Sequence, residues 1–315
     1  MSKNNLEDYV LSDKNIYIAI YSVKSYVFEP GLLSTDDKKL LNMLQDPFNE
    51  KIIFQVIKEV KNIIKKIIKD ESNLFKVQVY FKPKKYEDGK EIFRPIHTAD
   101  LKSLIAMAAL LNVLIYDTSD DRIKLSNYSR LIPNNFYGNR VSDNPEQLYK
   151  KWNIQYKEYT QKANDYLKKY YESGEYKYEI KMDIKNFFPS VNPLLVYAML
   201  LENMPVTLSK NDEKIFKTII YKLLICKVTN INTKKAKKLY YDTFIDKNSY
   251  TRGLPQGLPQ SYFFGNVCMT RIAQIVNDNF EGKAVYYVDD SYVYTNYNFD
   301  TYNSLTPNWY YKVLR

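Results

Sequence analysis

The 315-residue chain carries 46 Lys and Arg against 36 Asp and Glu, a net charge of +10. That surplus suits a polyanionic partner, because neutralising phosphates releases counterions. Two cysteines without paired spacing, Cys226 and Cys268, exclude a zinc ribbon and a disulfide framework, and a single histidine, His97, excludes Cys/His metal sites and histidine-based nucleophile triads.

The first fifteen residues lack an apolar signal core, and no apolar run reaches the length of a membrane span. The expectation is a soluble cytoplasmic protein with no membrane partner. Ser34-Thr35-Asp36-Asp37 has the form of a helix N-cap. Ile53, Val56, Ile57, Val60, Ile63, Ile64 and Ile67 then keep the rhythm of an amphipathic helix, with Lys61, Lys65, Lys66 and Lys69 on its other, solvated face. From Val77 to Ile96 the pattern changes to two strand-like runs joined at Glu87-Asp88-Gly89. Residues 100–115 read as a buried helix, 144–173 as a tyrosine-rich helix, 178–184 as a strand and 193–202 as a helix. A basic, mainly helical stretch covers 210–245, a helix 262–279 and a hairpin 284–294. Strands and helices mix without βαβ alternation, so the predicted class is α+β. Most of the 31 tyrosines read as half-buried packing residues with a polar tip.

Three segments carry chemistry. Tyr287-Val288-Asp289-Asp290 places two adjacent carboxylates between β-type runs. Adjacent Asp residues repel, and a hard divalent cation is the usual compensation. Asp-Asp also forms turns in its own right, and the tetrapeptide alone does not choose. A second acidic site, Asp183, ends the run Glu179–Met182 and precedes Phe187-Phe188. Two metal ions bridging a nucleophile and a triphosphate need about three carboxylates from different strands, and Asp183 with Asp289 and Asp290 supplies them. Phosphoryl transfer asks mainly for positioning and charge neutralisation, so a site without a usable histidine is chemically sufficient. Between the two acidic sites, Gly253-Leu254-Pro255-Gln256-Gly257-Leu258-Pro259-Gln260-Ser261 forms a stiff bend ahead of a helix, from which Gln256 can present its amide to a base or sugar edge.

In this order the segments at Asp183, at Gly253–Ser261 and at Tyr287–Asp290 resemble motifs A, B and C of reverse transcriptases. The hairpin from Lys82 to Ile96 resembles the fingers segment that contacts the incoming triphosphate. Arg94-Pro95-Ile96 and Phe136-Tyr137-Gly138-Asn139-Arg140 resemble the bacterial reverse transcriptases of phage defence and abortive infection. The resemblance covers roughly residues 75–295 and implies a right-hand polymerase with an antiparallel palm sheet: an N-terminal helical extension over 1–74, fingers over 75–176, and a palm over 177–315 with a helical insert near 205–250.

It further implies that Asp183, Asp289 and Asp290 hold two Mg2+ ions, with Mn2+ as the substitute, and that the partners are an RNA template, a DNA or RNA primer and deoxynucleoside triphosphates. Lys84, Lys85 and Arg94 would bind the triphosphate as charge-assisted donors. Phe188 would crowd a ribose 2′-hydroxyl, and Gln256 and Gly257 would lie near the template base and the nascent pair. His97 reads as a structural residue. Only 25 residues follow Asp290, and they do not resemble the thumb that family members carry. The expectation is a chain truncated before the thumb: a shortened gene, a fragment, or a chain whose thumb function comes from a partner chain or an oligomer. Two alternatives accompany the reading: a defence polymerase that adds nucleotides without a template or from a protein primer, and an inactive remnant that binds nucleic acid or a partner.

Overall fold

The computed structural model describes residues 6–70, 72–87, 89–115, 128–144, 146–204, 208–245, 252–279 and 282–296. Its N-terminal part is helical: α1 (Leu6–Val10), α2 (Asp13–Tyr21), α3 (Val23–Tyr26), α4 (Thr35–Met43) and α5 (Glu50–Lys69). Ser34 caps α4, its Oγ accepting from the Asp37 amide at 3.1 Å, which satisfies one of the donors that a helix start leaves open. In α5 the residues Ile53, Val56, Ile57, Val60, Ile64 and Ile67 are buried. On its lysine face Lys65 and Lys66 are exposed, while Lys61 pairs with Asp13 at 2.6 Å.

β1 (Lys76–Glu87) and β2 (Lys90–Thr98) form the expected hairpin. Its register shifts between Pro83 and Lys85, which leaves Lys84 outside the ladder; Pro83 has no amide hydrogen to offer there. α6 (Leu101–Ile115) is buried at every residue except Lys102 and Ser103. α2 and α5 both pack on it. Each such buried Leu or Ile contributes about 1.5–3 kcal/mol, so this helix is the axis of the N-terminal half.

The tyrosine-rich helix begins later than expected. α7 (Trp152–Lys168) starts at Trp152 and ends in one π-helical turn, Lys169–Ser173. Ahead of it, the Ser142 amide donates to the Leu148 carbonyl at 3.0 Å and the Lys150 amide to the Arg140 carbonyl at 2.9 Å. Backbone donors spent on this loop are not available to a helix. Then follow β3 (Tyr178–Asp183), α8 (Phe187–Ser190), α9 (Pro193–Glu202), α10 (Lys210–Leu224), β4 (Lys227–Val228), α11 (Lys234–Phe244), α12 (Pro259–Asn279), β5 (Gly282–Tyr287) and β6 (Asp290–Thr295).

The class is α+β, with two small sheets. In one, ordered β2-β1-β4, the short β4 runs parallel to β1, a strand within the stretch read as helical. The other, ordered β3-β6-β5, is antiparallel throughout. Its side chains alternate between two buried faces. Ile180, Met182, Ala284, Tyr286 and Val293 enter the main core, whereas Val285 packs with Tyr159 and Ala163 of α7. The main core is one continuous apolar cluster from Leu6 to Val293, drawing on all three predicted segments and on Ile215, Phe216 and Ile219 of α10. No described helix is long and apolar enough to cross a membrane. Asp88 and residues 297–315, on which the expectation of a missing thumb rests, lie outside the described residues.

Candidate active site

The β5–β6 hairpin closes on the pair Tyr287–Asp290, which leaves Val288 and Asp289 as a two-residue loop. Such loops favour a positive φ at their first position, normally met by Gly or Asn. Here Val288 takes it, at φ 57°, a strained backbone for a β-branched residue. The Phe136–Arg140 segment lies beneath the turn. A Cβ on Gly138 would stand 2.7 Å from Val288 Cγ2 and 2.9 Å from the Val288 amide nitrogen, so only glycine permits this approach. Phe136 bridges to Tyr286 in parallel fashion, and the Tyr137 amide donates to the Tyr286 carbonyl at 2.8 Å. From α12, Asn266 Nδ2 donates to the Gly138 carbonyl at 2.8 Å. Gly138→Ala is therefore expected to cost about 1–3 kcal/mol by overpacking against the turn; a denaturant midpoint checks this.

Register brings the acidic residues together. Asp183, the last residue of β3, is the direct partner of Asp290, the first residue of β6, and Asp289 occupies the adjoining turn. Burial pushes the Asp289 carboxyl up to about 6; its own amide opposes this, the Asp290 and Asp183 charges reinforce it, and Lys84 opposes it again. Asp290 is likewise raised, by burial and then by Asp183, with Lys181 opposing. The three carboxylates thus share one field, met by one lysine from the β1 bulge and one from β3. Among the described residues no group of three or more His, Cys, Asp or Glu is gathered at metal-ligand distance. The carboxylates are electrostatic neighbours, each raising the proton affinity of the next. As a donor set, carboxylate oxygens without thiolate or imidazole suit hard cations such as Mg2+ or Mn2+.

The Gly253–Ser261 loop is strapped to the elements on either side of it. The Gly253 amide donates to the Val191 carbonyl at 2.7 Å and the Leu254 amide to the Phe188 carbonyl at 2.7 Å. The His97 amide of β2 donates to the Gln256 carbonyl at 2.6 Å. Gly257 sits at φ 110° with its α-carbon so close to β2 that a Cβ would meet the His97 carbonyl oxygen at 2.3 Å. The His97 ring is buried edge-on to Phe244 at 5.1 Å, and burial brings its pKa down to about 4. It packs; it is not placed for acid–base work.

Of the predicted residues, Asp183, Asp289, Asp290 and Lys84 form one electrostatic group. Arg94, Phe188 and Gly257 meet around a residue that the sequence did not single out, Tyr262. Its ring lies 5.5 Å from Phe188 and 4.2 Å from Phe28. Burial and then Glu29 push its hydroxyl up to about 12, while Arg94 and a hydrogen bond from the Gly257 backbone pull the other way. One tyrosine among 31 carries no local signal of such a position. Phe188 is only 7% exposed and is itself part of the core. Gln256 is half-buried, and Lys85 is exposed in the ladder position opposite Ile92. Lys181, which answers Asp290, was also not singled out. No family model and no curated protein matches this chain.

Proposed function

We propose that this chain is the fingers and palm of an RNA-directed DNA polymerase, a nucleotidyltransferase that adds deoxynucleotides to a primer 3′-hydroxyl. The observation that carries the reading is the register pair Asp183–Asp290 with Asp289 in the adjoining turn. It gives three carboxylates at one end of an antiparallel sheet, from sequence segments more than a hundred residues apart. In this reading the β1–β2 hairpin is the fingers element and the β3-β6-β5 sheet the palm, with phage defence as the biological setting.

The reaction is an in-line displacement. The primer 3′-hydroxyl loses its proton to solvent as its oxygen bonds to the α-phosphorus, and the bond to the pyrophosphate oxygen breaks. Asp183, Asp289 and Asp290 would hold two Mg2+ ions, which when bound supply charge neutralisation at the attacking and leaving oxygens. Lys84, already acting on Asp289, is set to exchange that carboxylate for the triphosphate, with Arg94 from the paired strand as a second donor. Gln256 and Gly257, held by β2 at His97, would lie near the template base and nascent pair. Phe188, steadied by Tyr262, would crowd the sugar edge.

The test is incorporation of labelled deoxynucleotides on a primed RNA template with Mg2+. Incorporation whose product copies the template supports the reading. Product of unrelated sequence would replace it with untemplated synthesis, and no incorporation by folded protein would overturn it. Phe188→Leu should raise ribonucleotide use relative to deoxynucleotide use, and an unchanged ratio would remove Phe188 from this role. Phe188→Ala is the less clean variant, since emptying a buried Phe costs about 3–5 kcal/mol.

A further inference from the structure

A cleft of roughly 720 Å³ runs between the N-terminal helices and the loop leading into α7, lined by Tyr21, Lys24, Phe28, Asn139, Lys151 and Trp152, among others. Three large aromatic side chains stand open there: Trp152 is 71% exposed, Tyr21 44% and Phe28 39%. Tyr21 is itself stacked on Tyr17 at 5.6 Å, so its ring is held as a platform. Lys24, Lys150 and Lys151 share the lining with the aromatics. Lys150 is paired with Asp143 at 3.2 Å, whereas Lys24 and Lys151 make no ion pair with a described residue. Among the described residues Glu146 is the one acidic residue in the lining.

The walls of the cleft touch the elements of the candidate active site at three points. Phe28 touches Tyr262, which touches Phe188. Asn139 follows Gly138, whose backbone supports the Val288 turn. The Trp152 carbonyl accepts from the Tyr287 hydroxyl at 3.5 Å. Exposed rings interleaved with cations are what a single strand of nucleic acid uses, since every base has a face to stack and every linkage a charge to meet. A protein interface is depleted of lysine at its centre, which disfavours a protein segment as the occupant.

We propose that this cleft binds the unpaired single strand of the template, with bases stacking on Trp152 and Tyr21 and phosphates meeting Lys24 and Lys151. The proposal rests on the polymerase reading for the word template, but its test does not depend on catalysis. A labelled single-stranded oligonucleotide of about 12 residues, within the range such grooves cover, is titrated with the full chain without metal or nucleotide, and its anisotropy is followed. Trp152→Ala should weaken binding roughly 5- to 100-fold, the loss of one stacked base. Trp152→Phe, which keeps an aromatic face, should recover most of it. The Lys24→Ala/Lys151→Ala pair should flatten the salt dependence by about 1.4 in log–log slope. Because Trp152 is largely exposed, its truncation leaves the core intact. Equal affinity of Trp152→Ala and wild type, or equal binding of a duplex of the same length, would overturn the assignment. Trp152-dependent binding without any incorporation would sink the polymerase reading and leave the groove; templated incorporation with Trp152-independent binding would do the reverse.

Discussion

Replacing Asp289 and Asp290 together by Asn should lower nucleotide incorporation by at least roughly a thousandfold while leaving the protein folded. The magnitude follows from losing several kcal/mol of transition-state charge stabilisation, at about 1.4 kcal/mol per decade. The fold should survive because these carboxylates oppose the folded state at neutral pH. Burial and its two acidic neighbours raise Asp289 from 3.8 to about 6. A carboxyl raised in the folded state binds its proton more tightly folded than unfolded. Its stabilising effect is therefore full at low pH and is lost as pH rises through the window from about 4 to 6. The loss is at most about 3 kcal/mol. Metal-free wild-type protein should thus become less stable across that window, and the double variant should lack this step. Thermal melts from pH 4 to 7 measure it. Added Mg2+ should restore stability above pH 6 in the wild type only; an equal gain in the double variant would place the cation elsewhere.

Gly257→Ala should be the most damaging single substitution in the Gly253–Ser261 loop. At φ 110° an L-side chain is strained, and its Cβ would lie 2.3 Å from the His97 carbonyl oxygen, a backbone atom that cannot swing away. Strain and overpacking together give an expected cost of about 3–5 kcal/mol. The hydrogen bond from the His97 amide to the Gln256 carbonyl would be pushed apart as well, so under the polymerase proposal affinity for the incoming nucleotide should fall with stability. Gly31→Ala is the control, since nothing lies within 4 Å of a Cβ there and it should be nearly neutral. Denaturant midpoints of the two variants, read side by side, test the argument; similar midpoints would mean that the loop yields where it is drawn as pinned.

Local chemistry in the sequence determined the elements. The spacing of Ile53 to Ile67, the Ser34 cap and the apolar run of α6 each act through neighbours three or four residues away, and their helices stand where that spacing puts them. Residue types likewise nominated Asp183, Asp289, Asp290 and the glycine loop, because paired acids and a Gly-Pro bend are unusual enough to be seen without a fold. What tertiary structure alone decided is which of these meet. The pairing of Asp183 with Asp290 is a strand register, a long-range property on which one residue of slip would turn every side chain to the other face. The β4 strand inside a helical stretch depends on pairing with distant backbone, whereas the slip at Pro83 that frees Lys84 and the late start of α7 are set by hairpin and loop hydrogen bonds that side-chain periodicity does not report. Tyr262 packs on Phe28, and Trp152 shares a cleft with Tyr21, residues far apart in the chain. No window of sequence contains both partners of such a contact.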